Sequence, residues 1–199
     1  MNFLAHIYLS GSEHEILIGN FIADSIRGKQ FDAYQNSIQQ GILLHREIDE
    51  YTDSHPVVLE CVEKLKVTQG RYASVVIDIL FDHYLARNWN RYSEEDLATH
   101  IDYVYELMLS NLSILPAKFQ KMLPYMIEDN WLWQYQFKEG ISKAFEGIAR
   151  RASFDSNMAE TMNYIADDHD YYESQFHLFF ADMIQFVNKK GIEISVPNN

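Results

Sequence analysis

Val75-Val76-Ile77-Asp78-Ile79-Leu80-Phe81-Asp82-His83-Tyr84-Leu85 (residues 75–85) is the segment that decides the fold class of this chain. Drawn as a helix, it carries apolar side chains nearly all round, which is typical of a helix buried in a core. Asp78 and Asp82 are one turn apart on one face, and His83 lies beside them at a different angle. Burying an unpaired carboxylate costs several kcal/mol. The segment therefore predicts a buried helix whose acids meet an arginine, a protonated histidine or a metal ion.

A second helix, predicted over residues 34–51, repeats this combination of an apolar face and polar groups. Ile38, Ile42, His45, Asp49 and Thr52 follow one another at alternating spacings of four and three, so they share one face. His45 and Asp49 therefore stand where core residues are expected.

The first predicted helix, over residues 12–26, adds Asn20 and Asp24, again one turn apart. His6 lies upstream of it in an apolar, aromatic segment. Histidine and carboxylate ligands suit Mn, Fe, Zn or Mg, and helical bundles build such sites from facing helices. Clustered groups of this kind favour a functional metal site, although a buried ion-pair network that uses Arg46, Arg71 or Arg87 is the alternative.

Glycine and proline, the residues that break helices, are scarce in the chain as a whole. There are 8 glycines and 4 prolines among 199 residues, and 47% of the residues are hydrophobic. This composition favours long helices around a sizeable core over a turn-rich β-sandwich. We expect an all-α, single-domain helical bundle over residues 1–190, followed by a flexible C-terminal tail over residues 191–199.

The net charge of −13 argues against nucleic acid and anionic membranes as partners, because both need a basic face. No stretch of about 18 apolar residues suggests a membrane span, and the first residues lack the pattern of a signal peptide, so we expect a cytoplasmic protein. The single cysteine, Cys61, excludes an intrachain disulfide. Arg27 and Arg46 follow the polar positions closely and could hold an anionic substrate.

Four motifs, in this order, closely resemble the acyl carrier protein phosphodiesterases, also called acyl carrier protein hydrolases. They are Met-Asn-Phe-Leu-Ala-His (1–6), Gly-Asn-Phe-Ile-Ala-Asp-Ser-Ile-Arg-Gly (19–28), Gly-Ile-Leu-Leu-His-Arg-Glu-Ile-Asp (41–49) and Asp-Ile-Leu-Phe-Asp-His-Tyr-Leu (78–85). The resemblance is strong over the first half of the chain and looser beyond about residue 95.

The resemblance implies an all-helical fold distantly similar to the HD-type phosphohydrolases and a metal-dependent hydrolase. Such enzymes cleave the phosphodiester that joins 4′-phosphopantetheine to a serine of holo acyl carrier protein, by means of a water activated by a divalent metal. The implied metal is Mn²⁺ first, with Mg²⁺ or Fe²⁺ possible. The implied metal ligands are Asp24, His45, Asp78 and Asp82; the implied catalytic residues are His45, Asp49 and His83; and the implied substrate-binding residues are Arg27, Arg46, Asn20 and His6.

Two alternatives stay open at the level of the sequence. The first is an HD-like phosphohydrolase that acts on a small nucleotide or another phosphate ester, for which an enclosed pocket would be expected. The second is a helical binding module without catalysis, whose polar core is structural. The sequence gives no indication of the oligomeric state.

Overall fold

Eleven α-helices and no strand form the described part of the chain, which is residues 1–194, 196 and 197 of this computed structural model. The prediction of an all-α fold is confirmed. The helices are α1 (Phe3–Tyr8), α2 (His14–Ile22), α3 (Asn36–Ser54), α4 (Pro56–Gln69), α5 (Ala73–Arg87), α6 (Leu97–Ser110), α7 (Ala117–Glu128), α8 (Trp131–Gln134), α9 (Lys138–Ala149), α10 (Thr161–Tyr164) and α11 (His169–Lys189).

Helix α5, which contains the segment of residues 75–85, lies at the centre of one continuous core. It packs against α1, α4, α9 and α11, and the side chains from Ile79 to Ala86 are all buried. Helix α11 closes the core with a stripe of five fully buried apolar side chains, as its helical spacing predicts. They are Phe176, Phe179, Phe180, Met183 and Val187.

Helix α1 is a six-residue helix that the sequence does not predict, and a residue of α5 stabilises its start. The buried Asp82 carboxylate accepts hydrogen bonds from the backbone N–H groups of Leu4 at 2.7 Å and Ala5 at 3.1 Å. These are among the amide groups that an α-helix cannot satisfy internally at its first turn. Asp82 therefore caps α1 from 77 residues away in sequence and fixes its position on α5.

Helices α2 and α3 cross at two glycines, and this crossing determines how the polar groups meet. A Cβ atom at Gly19 would lie 2.1 Å from the carbonyl oxygen of Ile38, and one at Gly41 would lie 2.1 Å from that of Ile16. No side chain fits at either position, so the two backbones approach as closely as they can. The residues next along each helix, beginning with Asn20 on α2, are thereby brought against α3.

Several helices differ from the predicted ones in their bounds or continuity. The predicted helix over residues 12–26 ends early, because the chain continues from α2 into a 3₁₀ turn over Ala23–Ser25. The sequence also predicts one helix from about residue 130 to 151, but the structure has two, α8 and α9. Gly140 of α9 lies so close to Gln134 of α8 that a Cβ would be 2.0 Å from the Gln134 carbonyl oxygen. The sequence predicts that Pro124 interrupts the helix that Pro116 starts, but Pro124 lies inside α7.

The segment after α11 runs back along the core. Ile192 and Ile194 pack against it, and the backbone N–H of Ile194 donates to Asn188 Oδ1 at 2.8 Å. Residues 195, 198 and 199 lie outside the described residues, so the domain boundary at residue 190 and the flexible tail over residues 191–199 stay predictions. Among the described helices, none combines the length and the apolarity that a membrane crossing requires. The cytoplasmic location also stays a prediction.

Candidate active site

Two stacked histidines, one from α1 and one from α3, form the centre of the candidate site. The rings of His6 and His45 lie 3.9 Å apart at an angle of 17°, and both residues are buried. Their Nε2 atoms converge on one carboxylate: His6 Nε2 is 3.2 Å from Asp49 Oδ1, and His45 Nε2 is 3.1 Å from Asp49 Oδ2. His45 and Asp49 are one turn apart on α3, as their spacing predicts. We call His6, His45 and Asp49 the histidine cluster.

Asn20 orients the ring of His45. The Nδ1 atom of His45 lies 2.9 Å from the backbone oxygen of Asn20 and 3.2 Å from its Oδ1. The side-chain amide of Asn20 is held in turn, because its Nδ2 donates to the backbone oxygen of His6 at 2.9 Å and to Ser10 Oγ at 3.0 Å. With Nδ1–H donating to Asn20, the Nε2 atom of His45 faces the carboxylates. A metal-binding histidine is usually oriented in this way, by a carbonyl that accepts its other N–H.

Asp24 lies at the solvent side of the histidine cluster. It sits in the 3₁₀ turn after α2, and its Oδ1 is 3.2 Å from His45 Nε2. Its side chain is 68% exposed, whereas that of Asp49 is 40% exposed. The hydrogen bond with His45 lowers the pKa of Asp24, so its carboxylate stays charged. Asp24 is therefore the member of the group that an incoming solute would meet first.

Burial and the carboxylates shift the pKa values of the two histidines in opposite directions. Burial lowers the pKa of His6 to about 4, so this ring is neutral near neutral pH. Burial also acts to lower the pKa of His45, but the hydrogen bonds to Asp24 and Asp49 outweigh it and raise the pKa to about 9. For Asp49, burial acts to raise the pKa, and the two histidines lower it further than burial raises it. The histidine cluster thus combines the neutral imidazole of His6 with the charged groups of His45 and Asp49.

Asp78 and Asp82, predicted as metal ligands, have other partners. The Asp78 Oδ1 atom accepts a hydrogen bond at 2.8 Å from the N-terminal ammonium of Met1, which also lies 3.8 Å from Asp49 Oδ1. Asp82 caps α1, and burial raises its pKa to about 7. Asp78 is thus linked to the histidine cluster through the ammonium group, whereas the carboxylate oxygens of Asp82 are bound by backbone amides.

His83, predicted as a catalytic residue, points toward the later helices. Its Nδ1 donates to the carbonyl oxygen of Tyr135 at 2.6 Å, and its ring lies 6.0 Å from that of His169. Burial lowers the pKa of His83. These contacts are with the end of α8 and the start of α11, so the structure does not bring His83 together with His6 and His45.

Arg27 and Arg46, predicted to bind substrate, are both exposed. The guanidinium of Arg46 lies over the ring of Phe31, 5.6 Å from its centroid. Arg27 follows Asp24 by three residues and stands at the start of a 3₁₀ segment, Gly28–Ala33, where its backbone N–H donates to Gln30 Oε1 at 2.9 Å. Both side chains are therefore available on the surface beside the elements that carry Asp24 and His45.

The histidine cluster fits a divalent metal ion. Each of His6, His45 and Asp49 offers a ligand atom, and these atoms all lie within 4.8 Å of one another. Neither ring nitrogen of the buried His6 makes a hydrogen bond, because its contact with Asp49 lacks hydrogen-bond geometry. A buried polar atom without a partner is costly, and a bound cation would satisfy it. Imidazole and carboxylate together suit Mn, Fe or Zn better than Mg.

The cavity beside the histidine cluster is small. Its volume is about 10 Å³, and Met1, Phe3, His6, Asp24 and His45 are among the residues that line it. A volume of roughly 10–15 Å³ holds one water molecule. The cavity therefore has room for an ion or a single water, and a larger substrate must extend beyond it.

Among the described residues, a second group of metal-ligand type lies at the start of α11. The sequence predicts that this segment, Asp167-Asp168-His169-Asp170, is solvated surface with a capping acid. His169, Asp170 and Glu173 come together there. Arg87 already supplies a positive charge to this group, because its Nη1 lies 3.2 Å from His169 Nε2 and its Nε lies 3.8 Å from Glu173. This group is therefore better described as a surface ion-pair network.

The resemblance implies that His6 binds substrate and that Asp49 is catalytic, and the structure places both directly against His45. The sequence contains a signal for Asp49, because it is one turn from His45 on the same face of one helix. For His6 the only signal is a histidine in an apolar segment, since α1 is held in place by a contact with α5 that is remote in sequence.

Comparisons with known proteins agree on one family. The sequence profile of the family described as acyl carrier protein phosphodiesterase matches residues 1–183. Proteins named acyl carrier protein phosphodiesterase from Yersinia enterocolitica and Enterobacter sp. strain 638 are each 31% identical to this chain, over 96% of it and 100% of their own length. One of that name from Escherichia coli is 28% identical over the same shares. No solved structure gives a match.

Proposed function

This chain belongs to the acyl carrier protein phosphodiesterase family and has that family's activity, and we propose that the reaction takes place at the histidine cluster with Mn²⁺ as the cofactor. The substrate is holo acyl carrier protein, and the products are apo carrier protein and 4′-phosphopantetheine. Hydrolysis adds water across the bond between phosphorus and the serine oxygen, so that the hydroxyl goes to phosphorus and the proton to serine.

The observation that carries this assignment is the pair of buried histidines whose Nε2 atoms converge on Asp49. His6, His45 and Asp49 would hold the cation, and Asp24 would complete the set from the solvent side. When bound, a divalent cation lowers the pKa of water and offsets the negative charge of the phosphodiester.

The surrounding residues support binding and orientation. Asn20 keeps Nε2 of His45 directed at the carboxylates. Arg27 and Arg46, exposed beside Asp24 and His45, would hold non-bridging phosphoryl oxygens through their planar guanidinium groups. Asp82 and His83 take no part in the proposed chemistry, because their hydrogen bonds hold α1 and the end of α8. The family match favours the carrier protein over the small phosphate ester and over the binding module without catalysis.

The test is incubation of the purified protein with holo acyl carrier protein and Mn²⁺, with and without chelator, followed by the intact mass of the carrier protein. We expect conversion to the apo mass that chelator abolishes. An unchanged mass with folded, Mn²⁺-loaded protein would overturn the proposed function.

Variants of α3 then test the location of the reaction. Asp49→Asn should abolish both conversion and Mn²⁺ binding, because it removes the charge on which both histidines converge. The matched control is Glu50→Gln on the exposed face of the same helix, which should convert the carrier protein normally. Normal conversion by Asp49→Asn would be compatible with the activity but would contradict its assignment to the histidine cluster.

A further inference from the structure

A groove of about 570 Å³ lies beside the small cavity of the histidine cluster. Asn2 and Phe3 line both spaces, so the groove and the metal cavity share these two residues as a common wall. Its other walls come from α8, α9 and the residues that join them, and include Trp131, Tyr135 and Gly147. Small-molecule sites typically have volumes of about 300–1,000 Å³. The groove therefore has the size of a ligand site and lies next to the candidate active site.

We propose that this groove binds the pantetheine arm of the substrate, an inference that rests on the proposed function. A phosphodiester held at the histidine cluster has two substituents, the serine of the carrier protein and the pantetheine arm. The cavity at the cluster, about 10 Å³, has no room for either. The carrier protein is a folded domain that must stay outside, whereas the arm is a slender chain that fits a groove.

The lining of the groove suits the chemistry of this arm. Pantetheine combines a branched apolar segment with a hydroxyl, two amides and a thiol, and it carries no charge. The half-buried ring of Trp131 and the buried ring of Tyr135 offer apolar faces, and the exposed side chain of Gln134 offers an amide. Sites that are mostly apolar with a few polar groups are typical for such ligands.

Charge at the groove favours an acidic partner at its mouth. Lys143, Arg150 and Arg151 line it together with two acids, Asp129 and Glu146. Three cations against two carboxylates give a local positive excess in a chain whose net charge is −13. Acyl carrier proteins are acidic, so this excess attracts them to the place where the arm enters, and the attraction should weaken with salt.

Gly147 provides the means to test the groove. A Cβ at this position would meet only the guanidinium of Arg150, at 3.8 Å, so a larger side chain can be added without disturbing the backbone. Gly147→Phe places a phenyl ring in the groove. Glu139→Phe is the matched control, because it adds the same ring to an exposed position of α9 outside the groove.

The first measurement is calorimetric titration of the chelator-treated protein with pantetheine, which contains no phosphate and needs no metal. Wild type and Glu139→Phe should bind it, and Gly147→Phe should bind it at least about tenfold more weakly, because its ring fills the space that the arm needs. No binding to the wild type, or equal binding to wild type and Gly147→Phe, would overturn the proposal. Trp131→Ala, which removes an aromatic wall that α8 contributes, should also weaken binding. This second variant keeps the proposal testable if Gly147→Phe does not fold.

A second measurement separates this inference from the proposed function. Conversion of holo carrier protein by Gly147→Phe should be slowed at saturating Mn²⁺, while its affinity for Mn²⁺ stays that of the wild type. If the wild type binds pantetheine yet converts no carrier protein, the proposed function fails and the groove stands. If Gly147→Phe converts carrier protein at the wild-type rate, the groove assignment fails and the function stands.

Discussion

Replacing Gly41 with alanine should damage both the packing of α2 on α3 and the site that these helices carry. The added Cβ would lie 2.1 Å from the carbonyl oxygen of Ile16 and 2.9 Å from the backbone nitrogen of Asn20. Ordinary contact begins near 3.4 Å, so the new Cβ would be about 1.3 Å too close to the Ile16 carbonyl oxygen. Both neighbours are backbone atoms, and no rotation of a side chain can provide that space. The helices themselves must move apart.

The expected loss of stability is about 2 kcal/mol. Overpacking a well-packed interface costs typically about 1–3 kcal/mol, and the rigid neighbours place Gly41 at the upper end of that range. Alanine is more favourable than glycine inside a helix by about 1 kcal/mol, which offsets part of this loss of stability. Because domains are stable by about 5–15 kcal/mol, the variant should still be folded at 25 °C.

The expected loss of activity is larger than the loss of stability suggests. Asn20 lies at the crossing and accepts the hydrogen bond that orients His45, so a shift of α2 moves His45 relative to Asp24. A misplacement of about 1 Å can lower the rate about 100-fold. We expect kcat/KM for holo carrier protein, measured by intact mass at saturating Mn²⁺, to fall by about that factor.

Urea unfolding of the metal-free protein measures the stability change separately. Gly147→Ala is the control for stability alone, since its Cβ has only one distant neighbour and should give a gain of about 1 kcal/mol or less. Wild-type stability of Gly41→Ala would show that the crossing of α2 and α3 tolerates a side chain at this position. If stability falls as expected but turnover is unchanged, the helix crossing holds the fold without positioning the site.

Three further substitutions probe the groups around the histidine cluster. Asn20→Ala should weaken Mn²⁺ binding by about tenfold or less in calorimetric titration, because His45 loses the Oδ1 contact at 3.2 Å but keeps the backbone oxygen of residue 20 at 2.9 Å; a hundredfold loss would contradict this. Asp24→Asn should weaken Mn²⁺ binding by roughly tenfold or less, because solvent screens this 68% exposed carboxylate, and a loss that does not shrink with added salt would contradict this. Asp82→Ala should destabilise the metal-free protein by about 2–6 kcal/mol in urea, because two buried amides of α1 lose their acceptor at about 1–3 kcal/mol each, and wild-type stability would refute the capping role.

Local pattern in the sequence predicts most of the helices and part of the site. The all-α class follows from the apolar segment of residues 75–85 and from scarce glycine and proline. The shared face of His45 and Asp49 follows from the geometry of one helix, because their spacing alone brings them together. Such relations are local, so a periodicity argument can find them.

Contacts between distant segments account for what the sequence did not predict. The sequence indicates that Asp78 and Asp82 are inward-facing acids that need positive partners, but it does not identify those partners. In the structure they are an ammonium group for Asp78 and backbone amides for Asp82. Likewise, the division of the predicted helix over residues 130–151 brings Gly140 against the carbonyl group of Gln134, a contact that no single-helix pattern contains.

The capping role of Asp82 also explains how a residue outside the histidine cluster can control it. Asp82 fixes α1, and α1 carries His6, so loss of Asp82 should lower Mn²⁺ affinity through the position of His6, because the Asp82 carboxylate oxygens are bound by backbone amides. A ligand and a cap differ in where the free energy is lost. A lost ligand mainly reduces the stabilisation that added Mn²⁺ provides, whereas a lost cap lowers the stability of the metal-free protein directly. Comparing the unfolding of Asp82→Ala and Asp49→Asn with and without Mn²⁺ therefore assigns each carboxylate to the metal or to the fold.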